Sequence, residues 1–337
     1  MVLPVVAVVL GLIILVWSAD KFVDGAVGVA SFCGMSTLLI GMVVVGFGTS
    51  APEMVVSAIS ALQGNPALAL GNAYGSNIAN IALILGVTAL ITPVIVKKSA
   101  LKRDLPVLIA ITAVAVLLVV DGSVSRLDGV ILLLLFAAVM VFNIWSELRA
   151  KKKGEFLDTD ILENDPAEKA PLGKSLLWLL LGLLLLVASS RALVWGAVEI
   201  AQALGVSDLL IGLTIVAVGT SLPELASSIA AARKGEDDLA VGNIIGSNLF
   251  NTLAVVGIAS TISPMEKIES MVICRDLPVM SALTVLLFVF CLPMRGSKIG
   301  ADGKRIGRIN RIEGTVFLVA YVGYIGVLIA QATGVLK

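Results

Sequence analysis

Much of this chain is written twice. Gly48-Thr49-Ser50-Ala51-Pro52-Glu53 recurs 171 residues later as Gly219-Thr220-Ser221-Leu222-Pro223-Glu224. At the same offset Gly71-Asn72 and Gly75-Ser76-Asn77 return as Gly242-Asn243 and Gly246-Ser247-Asn248, and Asn80 returns as Asn251. Across 46–86 and 217–257, 17 of 41 ungapped positions are identical. The match reaches upstream to Leu38-Leu39-Ile40-Gly41 and Leu209-Leu210-Ile211-Gly212. Downstream it reaches Arg103-Asp104-Leu105-Pro106 and Arg275-Asp276-Leu277-Pro278, there 172 residues apart.

The surroundings of this repeat decide the fold class. Of 337 residues, 58% are hydrophobic and only 14% charged, and the mean hydropathy is +1.04. Soluble domains carry about 25% charged residues, so a soluble or disordered chain is excluded. Apolar runs of about 20 residues predict membrane helices. They fall at 2–29, 37–61, 67–91, 102–120, 127–147, 174–203, 208–232, 239–262, 275–293 and 311–332. Strands are not needed, because the runs are too long and unbroken for barrel alternation. Val2–Trp17 has no basic residues before it and no cleavage pattern, so it reads as a retained helix.

The expected fold is an all-α polytopic membrane protein with ten transmembrane helices. Residues 1–147 form the first five-helix repeat, 148–173 a cytoplasmic linker and 174–337 the second repeat. An odd number of helices per unit makes the second copy cross in the opposite sense. Inverted repeats of this kind place a substrate site at the midplane between them. Eighteen of the 24 basic residues cluster on one side, within 97–103, 149–174, 233–234 and 295–311. By the positive-inside rule that side is cytoplasmic, and both termini face outward.

The strongest repeat similarity falls on polar residues at membrane depth. A lone carboxylate there costs several kcal/mol, so Glu53 and Glu224 should face a partner or a cavity. The pseudo-two-fold axis can bring them together, where they repel unless cations or protons sit between them. Thr49 and Thr220 lie one helical turn before the glutamates, on the same faces. Pro52 and Pro223 should release the carbonyls of Gly48 and Gly219. Ser76 shares a face with Asn80, and Ser247 with Asn251. All of these groups are hard oxygen ligands of the kind calcium takes, about six to eight at a time. No histidine is present, which excludes His-based triads, metal sites and proton relays. Cys33, Cys274 and Cys291 are too scattered for a disulfide framework or a metal cluster. The balance of 24 basic and 24 acidic residues gives no pointer to nucleic acid.

At these residues the sequence resembles the cation/calcium antiporter superfamily, and within it the prokaryotic sodium/calcium exchangers. The two Gly-Thr-Ser-x-Pro-Glu segments, each followed by Gly-Asn-x-x-Gly-Ser-Asn, look like that family's two alpha-repeats. The resemblance implies calcium on Thr49, Glu53, Thr220 and Glu224. It implies sodium on Ser50, Ser76, Ser221 and Ser247 with the carbonyls of Gly46 and Ala217. Asn80 and Asn251 correspond to the family's polar position in the middle of the site. Some relatives, including potassium-dependent ones, carry Asp where this chain has Asn251, which weakens the case for potassium cotransport. The implied protein lies in a prokaryotic inner membrane, works as a monomer, needs no cofactor and has Ca²⁺, Na⁺ and lipid as its partners.

The implied function is Ca²⁺/Na⁺ exchange by alternating access, with calcium extruded and the first and sixth helices sliding over the core. Two ionised glutamates carry −2, which one Ca²⁺ neutralises and Na⁺ ions or protons can neutralise instead. Ca²⁺/H⁺ exchange on the same scaffold, a cation channel and an intramembrane enzyme are the alternatives. The enzyme lacks a general base for Ser50 or Ser221. Other polar residues read as structural. Ser57, Asn72, Asn77, Asn243 and Asn143 read as packing or helix-bonding residues. Asp20, Lys21, Asp24, Arg191 and Glu199 read as snorkelling or locally paired groups. Asp104 and Asp276 read as helix caps. Asp158, Asp160, Glu163 and Asp165 form a solvated acidic linker.

Overall fold

A computed structural model describes residues 2–153, 171–205, 215, 217–293 and 307–335. The expected linker from 154 to 170, with its four acidic residues, lies outside the described residues. So does the start of the seventh expected helix. The first half comprises α1 (Val2–Cys33), α2 (Thr37–Leu62), α3 (Pro66–Ile91), α4 (Ala100–Asp104 running into Leu105–Val119) and α5 (Arg126–Lys153). The second half repeats the order with α6 (Leu172–Ala203), α7 (Ala217–Thr220, then Leu222–Arg233), α8 (Asp237–Ile262), α9 (Val272–Cys291) and α10 (Arg311–Ala332). Among the described residues all but α4 and α7 are long and apolar enough to cross a membrane.

Local chemistry repeats with the sequence. Gly64 and Gly235 both take φ +78°, the left-handed backbone that ends α2 and α7 and turns the chain into the next helix. Wide π-helical turns interrupt α3 at Ala79–Ile84 and α8 at Phe250–Val255. Matching ones open α4 at Ala100–Asp104 and α9 at Val272–Asp276. Such turns concentrate at functional sites, and the first pair carries Asn80 and Asn251.

The copies run in opposite senses. Along α1 and α6 the close approaches are Pro4 with Gly196, Gly11 with Ser189 and Leu193, Phe22 with Gly182, and Gly25 with Leu179. Rising numbers on one helix meet falling numbers on the other, so equivalent helices of the two repeats are antiparallel. A Cβ added to Gly182 would lie 2.8 Å from Phe22 Cα, which is why the pair needs glycine there. The symmetry extends to helix pairs that exchange between repeats. Gly86 of α3 meets Gly314 of α10, and Gly257 of α8 meets Gly129 of α5. The main apolar cluster lies among α3, α4, α8 and α9, while α1 and α6 form a second one with part of α7.

Two expectations are corrected. First, strands occur: β1 (Val94–Val96) pairs antiparallel with β2 (Gly307–Ile309), in the register Val94 to Ile309. Loop backbone between helices still needs hydrogen-bond partners, and a β-branched Val-Ile-Val stretch supplies them. The symmetry repeats the pairing as a single bridge, Val124 to Met265. Second, Asp104 and Asp276 stand before Leu-Pro at helix starts but do not cap them. Each carboxylate instead accepts from the preceding arginine, Arg103 at 2.8 Å and Arg275 at 2.6 Å. The wide turn keeps both residues helical, so the carboxylate points away from the free N–H groups.

The repeats differ in one packing respect. Ala230, Ala231 and Ala232 of α7 are buried in the cluster formed with α1. Their side of α7 is also tied to α1 by Lys234, whose Nζ reaches Asp24 Oδ1 at 2.6 Å and donates to the Asp20 carbonyl at 2.7 Å. In α2 the positions matching Ala226 and Ala230 are Val55 and Ile59, which are 54% and 48% exposed. Gln63 stands where Lys234 would be.

Between α2 and α8 the backbones nearly touch, since a Cβ on Gly246 would lie 2.7 Å from Met42 Cα. Gly246→Val should therefore destabilise the protein by about 1–3 kcal/mol or prevent folding, as overpacking does. Gly323→Ala, which meets open space, should leave the melting temperature in detergent unchanged. Thermal unfolding of the purified variants checks both.

Candidate ion-binding site

The helices α2, α3, α7 and α8 interleave at the centre of the molecule. α2 packs on the wide turn of α8 that carries Asn251, and α7 packs on the wide turn of α3 that carries Asn80. Each glutamate helix therefore faces an asparagine from the other repeat. Gly46 lies against the backbone of Gly246 and Ser247, which brings its carbonyl turn beside α8.

Glu53 and Glu224 are each 3% exposed. They stand within electrostatic reach of one another, and the Thr49 and Ser50 hydroxyls lie beside the Glu224 carboxylate. Arg191 of α6 is within electrostatic reach of Glu53. Ser50, Ser76, Asn80, Ser221, Ser247 and Asn251 are buried as well. The structure thus brings Thr49, Ser50, Glu53 and Glu224 together and lines the adjoining helices with the remaining hydroxyls and amides. Thr220 is the exception: it is exposed, while its counterpart Thr49 is fully buried. Ala217 opens the short helical turn Ala217–Thr220.

That difference has a local cause. α2 runs unbroken through Pro52. α7 breaks at Ser221 (φ −92°, ψ 6°) and restarts with Pro223 in its first turn. The Gly219 carbonyl, which Pro223 cannot satisfy, accepts from Ser190 Oγ at 3.1 Å. Ala19 occupies the matching place on α1 and has no hydroxyl to offer Gly48.

Several polar atoms at this centre have no hydrogen-bond partner. They are Ser50 Oγ, Glu53 Oε2, Glu224 Oε2, Ser247 Oγ, Asn251 Oδ1 and both ends of the Asn80 amide. Buried oxygens of this kind are normally satisfied. Nearly all of these are acceptors, drawn from carboxylates, hydroxyls and amides, so the group that suits them is a hard cation. Among the described residues no three His, Cys, Asp or Glu side chains gather. Two carboxylates supply the charge, and neutral oxygens supply the rest of the coordination.

One residue read as packing is more than that. Asn243, 1% exposed, contacts Thr49 of the first repeat and Glu224, Ser227 and Ser228 of the second. The signal that could have found it is its place in the duplicated Gly-Asn, matched by Asn72. Asn72 donates to Ser57 Oγ at 3.3 Å. Asn143 is buried with neither end of its amide engaged. Lys21 pairs locally with Asp24 at 3.7 Å.

Two inverted helical repeats that bury paired carboxylates among acceptor oxygens make a polytopic ion-transport protein. The sequence model of the sodium/calcium exchanger protein family matches residues 3–145 and 174–330, and this chain belongs to that family of antiporters. Among its relatives is the CaxA protein of Alkalimonas amylolytica, named as a candidate antiporter. It is 45% identical over 324 residues, covering 96% of this chain and 98% of that one. The sodium/calcium exchanger MaX1 of Methanosarcina acetivorans is 30% identical over 350 residues, covering 95% and 96%. A solved structure of the sodium-calcium exchanger NCX_Mj, soaked with Na⁺ and Sr²⁺, superposes with a TM-score of 0.79 at 32% identity. It covers 97% of this chain and 98% of its own.

Glu53→Gln and Glu224→Gln should each weaken Ca²⁺ binding by more than about a hundredfold, since each removes half of the site's charge. Ser60→Ala, which only removes a bond to the Val56 carbonyl, should bind normally. Calorimetric titration of the purified protein with Ca²⁺ distinguishes them.

Proposed function

We propose that the chain is a secondary antiporter that exchanges Ca²⁺ for Na⁺ by alternating access and carries calcium outward. The observation that carries this reading is the buried Glu53–Glu224 pair among oxygens without partners. Calcium is held by Thr49, Glu53 and Glu224, with Thr220, exposed in this conformation, as the fourth ligand from α7. Sodium is held by Ser50, Ser76, Ser221, Ser247 and the carbonyls of Gly46 and Ala217, with Asn80 and Asn251 between them. Two carboxylates facing each other in a medium of low dielectric repel by several kcal/mol without a counter-charge. The protein therefore changes conformation only when loaded, with one Ca²⁺ or with Na⁺ ions, and that condition makes the exchange obligatory.

Alternating access is supported by the unequal packing of equal repeats. α1 lies over α7 at Ala230–Ala232, whereas Val55 and Ile59 of α2, which match Ala226 and Ala230, stand exposed. Sliding the α1–α6 pair would cover α2 and uncover α7, and so exchange the open side for the closed one. On the orientation given by the basic residues, the tied side with Lys234 is cytoplasmic and both termini are outside. Sodium as the coupling ion fits the neutral hydroxyl and carbonyl oxygens around the carboxylates. The exchanger names of MaX1 and NCX_Mj point the same way.

Proteoliposomes loaded with Na⁺ and diluted into Na⁺-free buffer at clamped pH should take up Ca²⁺, and a sodium ionophore should abolish the uptake. Uptake that instead requires an imposed pH gradient replaces the coupling ion with the proton. Tight vesicles with folded protein that stay silent under both gradients overturn calcium as the substrate.

A further inference from the structure

The Thr49 hydroxyl has one proton and, besides the Glu224 carboxylate that it lies beside, three acceptors in reach. These are the Val45 carbonyl at 3.1 Å, the Gly46 carbonyl at 3.5 Å and Asn243 Oδ1 at 3.2 Å. A helical threonine ordinarily gives its proton to the carbonyl four residues back. Thr88, Thr112, Thr261 and Thr284 do so at 2.7–2.8 Å. At Thr49 that bond is stretched, and the competing acceptor is a side chain from the other repeat.

The orientation of the Asn243 amide follows from its partners. Its nitrogen end lies 3.4 Å from the Glu224 carbonyl, 3.2 Å from Ser227 Oγ and 2.9 Å from Ser228 Oγ. A backbone carbonyl only accepts, so the group facing it is the NH₂, and the group facing Thr49 is the oxygen. The amide is therefore locked with its acceptor toward the Thr49 proton. In the first repeat Asn72 and Ser57 reproduce the contact of Asn243 with Ser228, but Val56 replaces Ser227.

We infer that Asn243 is a positioning residue of the cation site. By taking the Thr49 proton it turns the Thr49 oxygen, together with the Val45 and Gly46 carbonyls, into bare acceptors for the ion. A hydroxyl ligates a cation only through its lone pairs, so a site that uses one must send its proton elsewhere. Sending it to Val45 would occupy a carbonyl of the same turn, and sending it to Glu224 would occupy the charged ligand itself. Sending it to Asn243 occupies nothing that faces the ion. The same amide grips the Glu224 turn, so it sets Thr49 of one repeat and Glu224 of the other in a fixed relation. The inference rests on Thr49 being a cation ligand.

The test is a double-mutant cycle on the full chain in proteoliposomes, reading the half-saturating Ca²⁺ concentration of Na⁺-driven uptake. Asn243→Ala should raise it about tenfold, as loss of a ligand's hydrogen-bond partner does. In a Thr49→Ala background the same change should add no more than about threefold, because only its hold on the Glu224 turn is then left to lose. Asn243→Asp keeps an acceptor for Thr49. In that background Thr49→Ala should cost as much as it does in the native chain, and this arm stands alone if Asn243→Ala does not fold. Additive losses in the cycle overturn the positioning role while leaving Thr49 as a ligand, and so does a Thr49→Ala without effect in the Asn243→Asp background. A Thr49→Ala that changes nothing in the native chain removes the ligand assignment itself and the inference with it.

Discussion

Two carboxylates, Glu53 and Glu224, lie buried within electrostatic reach of one another in the protein interior. Water cannot screen them there, and no histidine exists anywhere in the chain to neutralise them. Coulomb repulsion at low dielectric disfavours two ionised carboxylates here unless a cation or a proton offsets their charge. The rest of the site follows from that requirement. Hydroxyls and amides rather than further carboxylates line the neighbouring helices, so the two glutamates supply the site's negative charge. The helices that present them carry wide turns where the asparagines sit. Glycines let α2 and α8 approach until their backbones nearly meet.

Inverted duplication shapes the packing as well. Equal sequences folded in opposite senses have two equivalent ways to pack α1 and α6 on the core, and this structure holds one of them. α1 closes over the alanines of α7, and Val55 and Ile59 of α2 are left uncovered. Small differences between the copies decide the detail. Ser190 caps the carbonyl freed by Pro223, whereas Ala19 offers nothing to the carbonyl freed by Pro52. α7 breaks while α2 stays whole. Lys234 ties α7 to α1 through Asp24, and Gln63 in the other copy has no charge with which to do the same. Ion pairs this exposed contribute only about 0–1 kcal/mol each.

Chemical type was legible in the site from residue identity alone; the partnerships were not. Glu53, Glu224, Thr49 and the asparagines stood out because polar residues at membrane depth, repeated at one offset, have no packing reason to be there. Asn243 did not stand out, because an asparagine in a membrane helix has many ordinary uses. Only the convergence of Thr49, Glu224, Ser227 and Ser228 on its amide gives it a role. Asp104 and Asp276 illustrate the opposite error. Asp before Leu-Pro is a sound capping pattern, but a wide turn had already used those residues, and the arginines claimed their carboxylates.

The sequence by itself determined the membrane class, the inverted duplication and the oxygen chemistry of the centre. Hydropathy, repeat offset and residue type are properties of the chain before it folds. Tertiary structure alone decided which oxygens lie near one another, which copy's helix breaks and which copy's alanines α1 covers. Those outcomes depend on contacts between different helices, where one hydroxyl, present at Ser190 and absent at its counterpart Ala19, tips otherwise equal packings. Local patterns carry no information about which of two symmetric partners wins.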